Sequence, residues 1–210
     1  MSSATVTSMR RRGGKVRGDT ITLTHGAGGK AMHDLIEDIF VAGFDNSELD
    51  LLEDQARFDL AGLAAAGDRL ALTTDSYVVD PLFFPGGDIG KLAVTGTVND
   101  LAVGGAIPLY LTCGMIIEEG LPVETLRRIV ASMKATADAA GVQIVTGDTK
   151  VVDKGKCDKI FISTTGIGEI KDKYHSISTG KNIAPGDKII VNGSIGDHGM
   201  AVMSARNDLN

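Results

Sequence analysis

The order of apolar segments along the chain constrains its fold more than any other feature. Strand-length apolar runs at 70–75, 109–117 and 142–146 alternate with segments of helical periodicity at 91–103 and 122–141. In the second helical segment, apolar residues recur every three or four positions, as they do on the buried face of an amphipathic helix. Alternating strands and helices are typical of doubly wound α/β sheets. The segment order alone therefore predicts that fold class.

Further elements are predicted on both sides of this core. The stretch TITLTH alternates as a short strand does, and the apolar residues of 30–42 recur with helical spacing. Strands are also predicted at 159–165 and 188–192, and the second of these is followed by the start of a helix.

The chain divides into three parts. Residues 1–19 are rich in basic residues and lack an apolar signal segment, so we expect a disordered arm rather than a functional basic tail. Residues 20–171 hold most of the predicted elements and form an N-terminal domain. Residues 172–210 hold one strand and the start of a helix, which are too few to bury a core alone. We expect them to be a linker and the beginning of a truncated second domain.

Composition excludes several classes of protein. The sequence has 210 residues, 43% of them hydrophobic, and its formal net charge of −6 argues against duplex nucleic acid as the main partner. No apolar run approaches the roughly 18–20 residues of a membrane span. Cys113 and Cys157 have neither the spacing of a zinc site nor that of a disulfide framework. We therefore expect a globular protein of the reducing cytoplasm, without a membrane anchor.

Four aspartates are candidate metal ligands: Asp54, Asp75, Asp100 and Asp148. Asp75 and Asp148 share one skeleton, TTDSYVVD and TGDTKVVD, each at the predicted end of an apolar strand. Any one of them could instead be a helix cap, a turn former or an ion-pair partner. Carboxylates that converge to 4 Å repel by about 4 kcal/mol at an effective dielectric of 20, so they must bind a cation or a proton. Ligands that are all oxygen favour Mg²⁺ over Ca²⁺, and Mg²⁺ in turn suggests a nucleotide.

A phosphate ligand would also need donors. Gly28 and Gly29 precede the predicted helix at 30–42, where free N–H groups favour an anion, although a flexible turn and cap is the alternative. Lys150 alternates onto the same side of an extended segment as Asp148, and Thr149 adds a hydroxyl. Lys91 is a weaker candidate because lysines that open helices are usually solvated. The sequence contains no Walker A motif and no kinase glycine-rich loop.

Three segments carry a resemblance to a known family: HGAGGKAM, then TTDSYVVDPLFFPGGDIGKLAVTGTVNDLAVGGAIPLYLTCGMIIEEGLP, then AGVQIVTGDTKVV. In this order and spacing they closely resemble the HypE family of hydrogenase maturation factors, over about residues 21–205. That family belongs to the aminoimidazole ribonucleotide synthetase superfamily, with selenophosphate synthetase and thiamine-monophosphate kinase, whose members bind ATP with magnesium. The resemblance implies an α+β N-terminal domain whose sheet pairs with that of a second protomer into a barrel, followed by a second α+β domain. This expectation replaces the doubly wound sheet.

The resemblance also implies a reaction and partners. HypE proteins use ATP to dehydrate a carbamoyl group on the thiol of their own C-terminal cysteine, and the resulting thiocyanate supplies the cyanide ligand of the iron in [NiFe] hydrogenases. The implied partners are a second copy in a homodimer, the carbamoyltransferase HypF, and hydrogenase maturation scaffold proteins. This sequence ends SARNDLN, and neither Cys113 nor Cys157 matches the reacting cysteine. We therefore expect the chain alone to be inactive.

The family's site residues carry over by motif. Asp54 matches the family's early magnesium-binding aspartate, although in this sequence it is followed by Gln55 (in DQA) where the family more usually has a small residue. The HGAGG loop matches a mobile segment thought to close over the nucleotide. The other matches lie around the magnesium-bound phosphates: Asp75, Asp100 and Asp148 as acidic positions, with Asn99, Thr149 and Lys150 in the same two motifs.

The general base is left open by the sequence. His25 and Glu118 are candidates from polarity alone, and a lone histidine is more often structural. Two alternatives to a HypE-like dehydratase also stay open: a small-molecule phosphotransferase of the same superfamily, which would need no cysteine, and a non-catalytic assembly partner, which would not bind nucleotide with magnesium.

Overall fold

The computed structural model describes residues 14–53, 55–67, 69–174 and 176–207. Within them the α-helices are α1 (Lys30–Leu35), α2 (Ala42–Phe44), α3 (Ser47–Asp50), α4 (Leu60–Ala66), α5 (Ile89–Val103), α6 (Val123–Ala140) and α7 (Asp197–Arg206). The strands are β1 (Arg69–Tyr77), β2 (Phe83–Phe84), β3 (Gly87–Asp88), β4 (Ile107–Glu118), β5 (Gln143–Val152) and β6 (Ile160–Ile170). A π-helical segment, Ile36–Val41, joins α1 to α2, and 3₁₀ helices occur at Leu23–Gly26, Asp172–Tyr174 and Ile177–Thr179.

Four strands form one mixed sheet in the order β1-β6-β4-β5. β6 runs antiparallel to both β1 and β4, and only β4 and β5 are parallel. The expectation of a doubly wound sheet is therefore wrong, and the α+β class is confirmed. The physical reason is that only one crossover, through α6, joins parallel neighbours, while the short β5–β6 connection returns the chain antiparallel. In the part of the chain that the structure describes, no strand pairs with the outer edge of β1 or of β5.

Helices α5 and α6 cover one face of this sheet. The apolar spacing of α6 is confirmed, because each predicted inward residue is buried: Leu126, Ile129, Val130, Met133 and Ala137. The opposite face is more open, since Leu72 of β1 and Ile116 of β4 expose 68% and 43% of their surface. We call these the helix-covered face and the open face of the sheet.

Asp75 and Asp148 do not end their strands. Asp75 lies inside β1 and Asp148 inside β5, because both strands continue past their apolar runs into polar residues. The β4–β5 pairing also shifts register after Leu111, and a Cβ on Gly147 would lie 2.2 Å from the carbonyl oxygen of Cys113. Only glycine fits this close approach, which directly precedes Asp148.

Two predicted strands are absent. TITLTH makes only a single bridge, from Thr20 to Pro122, and then turns into the 3₁₀ helix Leu23–Gly26. Residues 188–192 are irregular, and Ile189 exposes 96% of its surface. A strand needs a neighbour for the backbone groups along its length. Among the described residues, the backbone of TITLTH is paired with another segment only around Ile21, which exchanges hydrogen bonds with Gly120 and Leu121, and 188–192 joins no sheet.

Part of the predicted arm makes defined contacts. The N–H of Gly14 donates to Glu37 at 2.9 Å, and the N–H of Val16 donates to Asp38 at 2.9 Å. Residues 14–16 are thus held on the helix that follows, while residues 1–13 lie outside the described residues. Among the helices described, none combines the length and the apolar character needed to cross a membrane.

Asp88 fixes the start of α5 and its crossing with α6. Its carboxylate accepts the N–H groups of Gly90 and Lys91 at 2.7 and 3.1 Å, and it accepts the hydroxyl of Ser132 in α6 at 2.5 Å. A Cβ on Gly90 would lie 2.6 Å from the carbonyl oxygen of Ile129, so the two helices touch through their backbones. The position of α5 on the sheet follows from this contact.

We predict that Asp88→Ala lowers the free energy of unfolding by about 1–2 kcal/mol, because the helix loses its N-cap and Ser132 loses its acceptor. Asp138→Ala is the control, since its ion pair with Lys134 is exposed and should contribute less than about 1 kcal/mol. Urea denaturation measures both. Equal losses would contradict the capping role.

Candidate functional site

Asp75 and Asp100 lie together on the helix-covered face at the β1 edge. The hydroxyl of Thr73 donates to Asp100 at 3.3 Å, and Asp75 follows Thr73 by two residues on the same side of β1. Asp75 accepts the N–H of Ser76 at 2.7 Å. Both carboxylates are exposed, and neither pairs with a cationic side chain among the described residues. Two uncompensated carboxylates with oxygen donors only fit a hard cation such as Mg²⁺.

Tyr77 continues the same side of β1. The pKa of Tyr77 is raised, mainly because its phenol is buried. The negative charge of Asp75 raises this pKa further, because it attracts the phenol hydrogen. The hydrogen bond with Thr97 of α5, at 2.9 Å, acts in the opposite direction. Tyr77 and Thr97 were not predicted from the sequence. The available signal was the pair Thr95 and Thr97 between apolar residues in the middle of α5.

Asp148 and Lys150 lie at the other edge of the sheet, on β5. They form an ion pair at 2.8 Å, and both side chains are exposed. The hydrogen bond from Lys150 is the main cause that lowers the pKa of Asp148. Thr149, between them, points the other way and is buried. Lys150 thus neutralises Asp148 in this arrangement.

One chain does not bring its two Thr-x-Asp segments together. The register across the sheet runs from Asp75 through Thr164 and Cys113 to Gly147, so Asp75 and Asp148 are three strand spacings apart, or about 14 Å. Asp54, the fourth predicted ligand, lies outside the described residues. Within the described residues of one chain, no three His, Cys, Asp or Glu side chains are arranged to hold a metal ion.

A cavity of about 450 Å³ lies on the helix-covered face beside β5. Its walls are apolar side chains of the helical region 32–52 and of β4, such as Phe40, Phe44 and Met115. Its rim carries Asp148 and Thr149. Apolar walls with a few polar groups at the rim are typical of a small-molecule site, and the volume suits a drug-sized or nucleotide-base ligand.

The HGAGG loop borders the same edge of the sheet. A Cβ on Gly26 would lie 2.8 Å from the backbone nitrogen of Val151, so the loop packs directly on β5. Gly28 has φ +79°, and Gly29 is the N-cap of α1. The loop therefore lies beside β5, near Lys150.

Residues 53–170 match a protein-family model described as AIR synthase related protein, N-terminal domain. The chain belongs to this family.

Relatives of this AIR synthase related chain include HypE proteins. Carbamoyl dehydratase HypE of Escherichia coli (strain K12) is 56% identical over 191 residues, which are 91% of this chain and 56% of that protein. A crystal structure of HypE in complex with ATP has a TM-score of 0.82 and 54% identity, over 91% of this chain and 55% of that chain. A HypE–HypF complex has a TM-score of 0.62 and 54% identity, over 84% and 54%. The resemblance to HypE is confirmed, and the chain spans about half the length of the curated relatives it matches.

The two candidate general bases, His25 and Glu118, both make hydrogen bonds that hold the local fold. His25 is buried, and its Nδ1 accepts the N–H of Thr22 at 3.0 Å. Glu118 accepts the N–H groups of Gly155 and Lys159 at 2.6 and 3.0 Å, and so holds the β5–β6 connection. These donors are the main cause that lowers the pKa of Glu118.

The remaining candidate donors lie on or near α5. The Nζ of Lys91 donates to the carbonyl of Gly86 at 2.8 Å, so it closes the β2–β3 turn. Asn99 is exposed beside Asp100. Asn99 is therefore next to the Asp75–Asp100 pair. Lys91 lies in the first turn of the same helix, at the end away from that pair.

Neither cysteine of the chain is an activated thiol. Burial raises the pKa of Cys113 to about 12. Burial is also the main cause that raises the pKa of Cys157, and the charge of Glu118 adds to it. A thiol with a raised pKa is a poor nucleophile at neutral pH, which agrees with the expectation that neither replaces the reacting cysteine of the family.

We predict that Glu118→Gln destabilises the fold in a pH-dependent manner. Because the folded-state pKa lies below the ordinary value of 4.5, the carboxylate's contribution is present above that value and is lost as the pH falls through the folded-state pKa. The stability difference between the two proteins should therefore be largest near neutral pH and should shrink in acid. Thermal melts from pH 7 to pH 3 measure it, and a difference that grows toward low pH would contradict the assignment.

Proposed function

We propose that this chain is the ATP- and magnesium-binding part of a HypE-type carbamoyl dehydratase, which acts in [NiFe] hydrogenase maturation in the cytoplasm. The observation that carries the proposal is the cavity of about 450 Å³ beside Asp148 and Thr149, in a sheet whose other edge presents the uncompensated Asp75–Asp100 pair. The similarity to a HypE structure in complex with ATP, with a TM-score of 0.82, supports nucleotide binding at this fold.

We propose further that the site is completed by a second copy. The cavity lies on the helix-covered face at the β5 edge, and Asp75 and Asp100 lie on the helix-covered face at the β1 edge. If β5 of one protomer pairs with β1 of its partner, the sheet continues and the partner's carboxylates border the cavity. A two-fold dimer repeats this junction, so that two equivalent sites form. This arrangement joins the two Thr-x-Asp segments that a single chain separates.

Each group then has a definite part in binding. Asp75 and Asp100 would hold the cation from the helix-covered face, and Asp54 is proposed as a further ligand. Asp148 of the adjoining protomer, which lies at the rim of the cavity, is proposed to join them once it leaves Lys150. When bound, Mg²⁺ offsets the charge of the ATP phosphates. Release of Lys150 from Asp148 would let its ammonium contact a phosphate oxygen. The N–H groups of the HGAGG loop and the hydroxyl of Thr149 add neutral donors, and the apolar cavity would take the base.

In the whole protein, the proposed reaction removes water from an S-carbamoyl group. The carbamoyl oxygen attacks the γ-phosphorus of ATP and ADP leaves. Loss of the N–H protons then expels the oxygen as phosphate and forms the C≡N bond of a thiocyanate. The site residues described above would orient ATP for in-line attack and exclude water from it.

The segment after β6 is proposed to begin a second domain. Ile189, Ile190 and Ile195 expose at least 87% of their surface, which is apolar area that a folded domain would bury. Arg206 of α7 donates to the carbonyl of Asp80 at 2.6 and 3.0 Å, which attaches this segment to the first domain. HypF and the maturation scaffold proteins are the proposed partners, and the HypE–HypF complex among the structural relatives supports HypF.

We predict that this chain binds ATP in a magnesium-dependent manner and that Asp75→Asn and Asp148→Asn each weaken binding at least about tenfold, as is usual when a group that holds a metal site is lost. Calorimetric titration with ATP in magnesium and in EDTA measures both. Asp138→Asn, at an exposed ion pair on α6, is the matched control and should bind as the unchanged protein does.

Two results would contradict the proposal. Binding that is tight in EDTA and indifferent to both aspartates would reject the site. Absence of ATP binding to the unchanged chain would favour a role as an assembly partner.

A further inference from the structure

Three buried hydroxyl groups form a chain behind Asp75. The phenol of Tyr77 in β1 lies 2.9 Å from the hydroxyl of Thr97 in α5, and Thr97 lies 2.5 Å from the hydroxyl of Thr164 in β6. Thr164 in turn lies 2.9 Å from the carbonyl oxygen of Ala93. Tyr77 is 6% exposed, and the two threonines are fully buried. The chain thus joins three elements through the core.

The backbone is shaped to admit this chain. A Cβ on Gly96 would lie 2.4 Å from the Tyr77 oxygen, and a Cβ on Gly166 would lie 2.9 Å from the methyl group of Thr97. Valine would fill the space of either threonine without a hydrogen-bond requirement, whereas a buried hydroxyl costs about 1–3 kcal/mol if its bonds are not made. Packing alone does not require hydroxyl groups here.

The chain has two hydrogen-bond orientations. Each hydroxyl carries one hydrogen, and the Ala93 carbonyl can only accept. In the inward orientation, Thr164 donates to Ala93, Thr97 donates to Thr164, and Tyr77 donates to Thr97. In the outward orientation, Thr164 donates to Thr97 and Thr97 donates to Tyr77, so the Tyr77 hydrogen is free. The Ala93 carbonyl keeps its α-helical N–H donor in both.

In the outward orientation, the free Tyr77 hydrogen can turn toward the carboxylate of Asp75. Asp75 lies on the same side of β1 as Tyr77 and directly opposite Thr164 of β6. A hydrogen bond to a charged acceptor is about twice as strong as one between neutral groups, so a bare carboxylate favours the outward orientation. A cation on Asp75 repels the phenol hydrogen and favours the inward orientation.

We propose that Tyr77 is a positioning residue that competes with the cation for Asp75, and that Thr97 and Thr164 receive its hydrogen when the cation binds. The proposal rests on the proposed function, because it takes Asp75 as a ligand of Mg²⁺. In this proposal the three buried hydroxyl groups control the affinity of the site for magnesium, in addition to packing in the core.

Two single substitutions test the proposal because they act in opposite directions. Tyr77→Phe removes the competing hydrogen, so a magnesium concentration about fivefold lower should support ATP binding. This factor corresponds to the difference in strength between a charged and a neutral hydrogen bond. Thr97→Val removes the inward acceptor, so the Tyr77 hydrogen stays on Asp75 and about fivefold more Mg²⁺ should be needed. Calorimetric titrations with ATP at a series of magnesium concentrations measure both, and thermal melts show that each variant is folded.

The controls separate this effect from a structural one. Thr97→Ser keeps the hydroxyl and should restore the magnesium dependence of the unchanged protein. Tyr110→Phe removes a phenol from β4, where the ring stacks on Phe58 with 3.9 Å between centroids, and should leave the magnesium dependence unchanged. Variants that shift in the same direction, or not at all, while the unchanged protein binds magnesium and ATP would overturn the inference alone. An unchanged protein without magnesium-dependent ATP binding would overturn the proposed function and the inference with it.

Discussion

The insertion of β6 between β1 and β4 is the constraint on which the rest of the structure depends. It makes β1 and β5 the two edges of the sheet, and so it separates Asp75 from Asp148 by three strand spacings. One edge carries an uncompensated pair of carboxylates and the other a cavity with polar groups at its rim, and we propose that these are the two halves of a site. The same topology leaves both edges without a strand partner in the described chain, and unpaired edges favour pairing with another copy. The strand order thus accounts for both the separation of the two proposed half-sites and the proposed dimer.

Helix α5 links the core to this site. Its first turn is held on α6 through Asp88 and Ser132, and its middle is held on the sheet through Thr97. Its last turns carry Asn99 and Asp100. Because both attachments are buried polar contacts, they fix the helix at defined points rather than along a uniform apolar stripe. The position of Asp100 relative to Asp75 thus depends on the core as well as on the surface.

Local features of the fold were predictable from the sequence, and long-range features were not. The buried stripe of α6 follows from apolar spacing because a helix forms its own hydrogen bonds. The strand at 188–192 was predicted wrongly because a strand depends on a partner that the pattern does not contain. Strand order is likewise set by contacts between distant residues, which explains the incorrect doubly wound sheet. The resemblance to HypE corrected the fold class where periodicity did not.

The candidate site shows the same division. The residue pattern and the motif resemblance both singled out Asp75, Asp100 and Asp148, but polarity alone could not distinguish a base from a structural carboxylate. Glu118 is an example, since its hydrogen bonds go to backbone N–H groups 37 and 41 residues away. Tyr77 and Thr97 were missed because a hydroxyl in an apolar segment is also compatible with an ordinary core.

Heterodimers test the central claim most directly, namely that Asp75 and Asp148 act in one site from different protomers. An Asp75→Asn chain and an Asp148→Asn chain, co-expressed with different affinity tags, can be purified as the mixed species and titrated with ATP and magnesium. The account predicts about one magnesium-dependent ATP site of unchanged affinity per heterodimer, because one of its two junctions keeps both aspartates, and only the weakened binding in either parent homodimer. A stable heterodimer without any such site would contradict it.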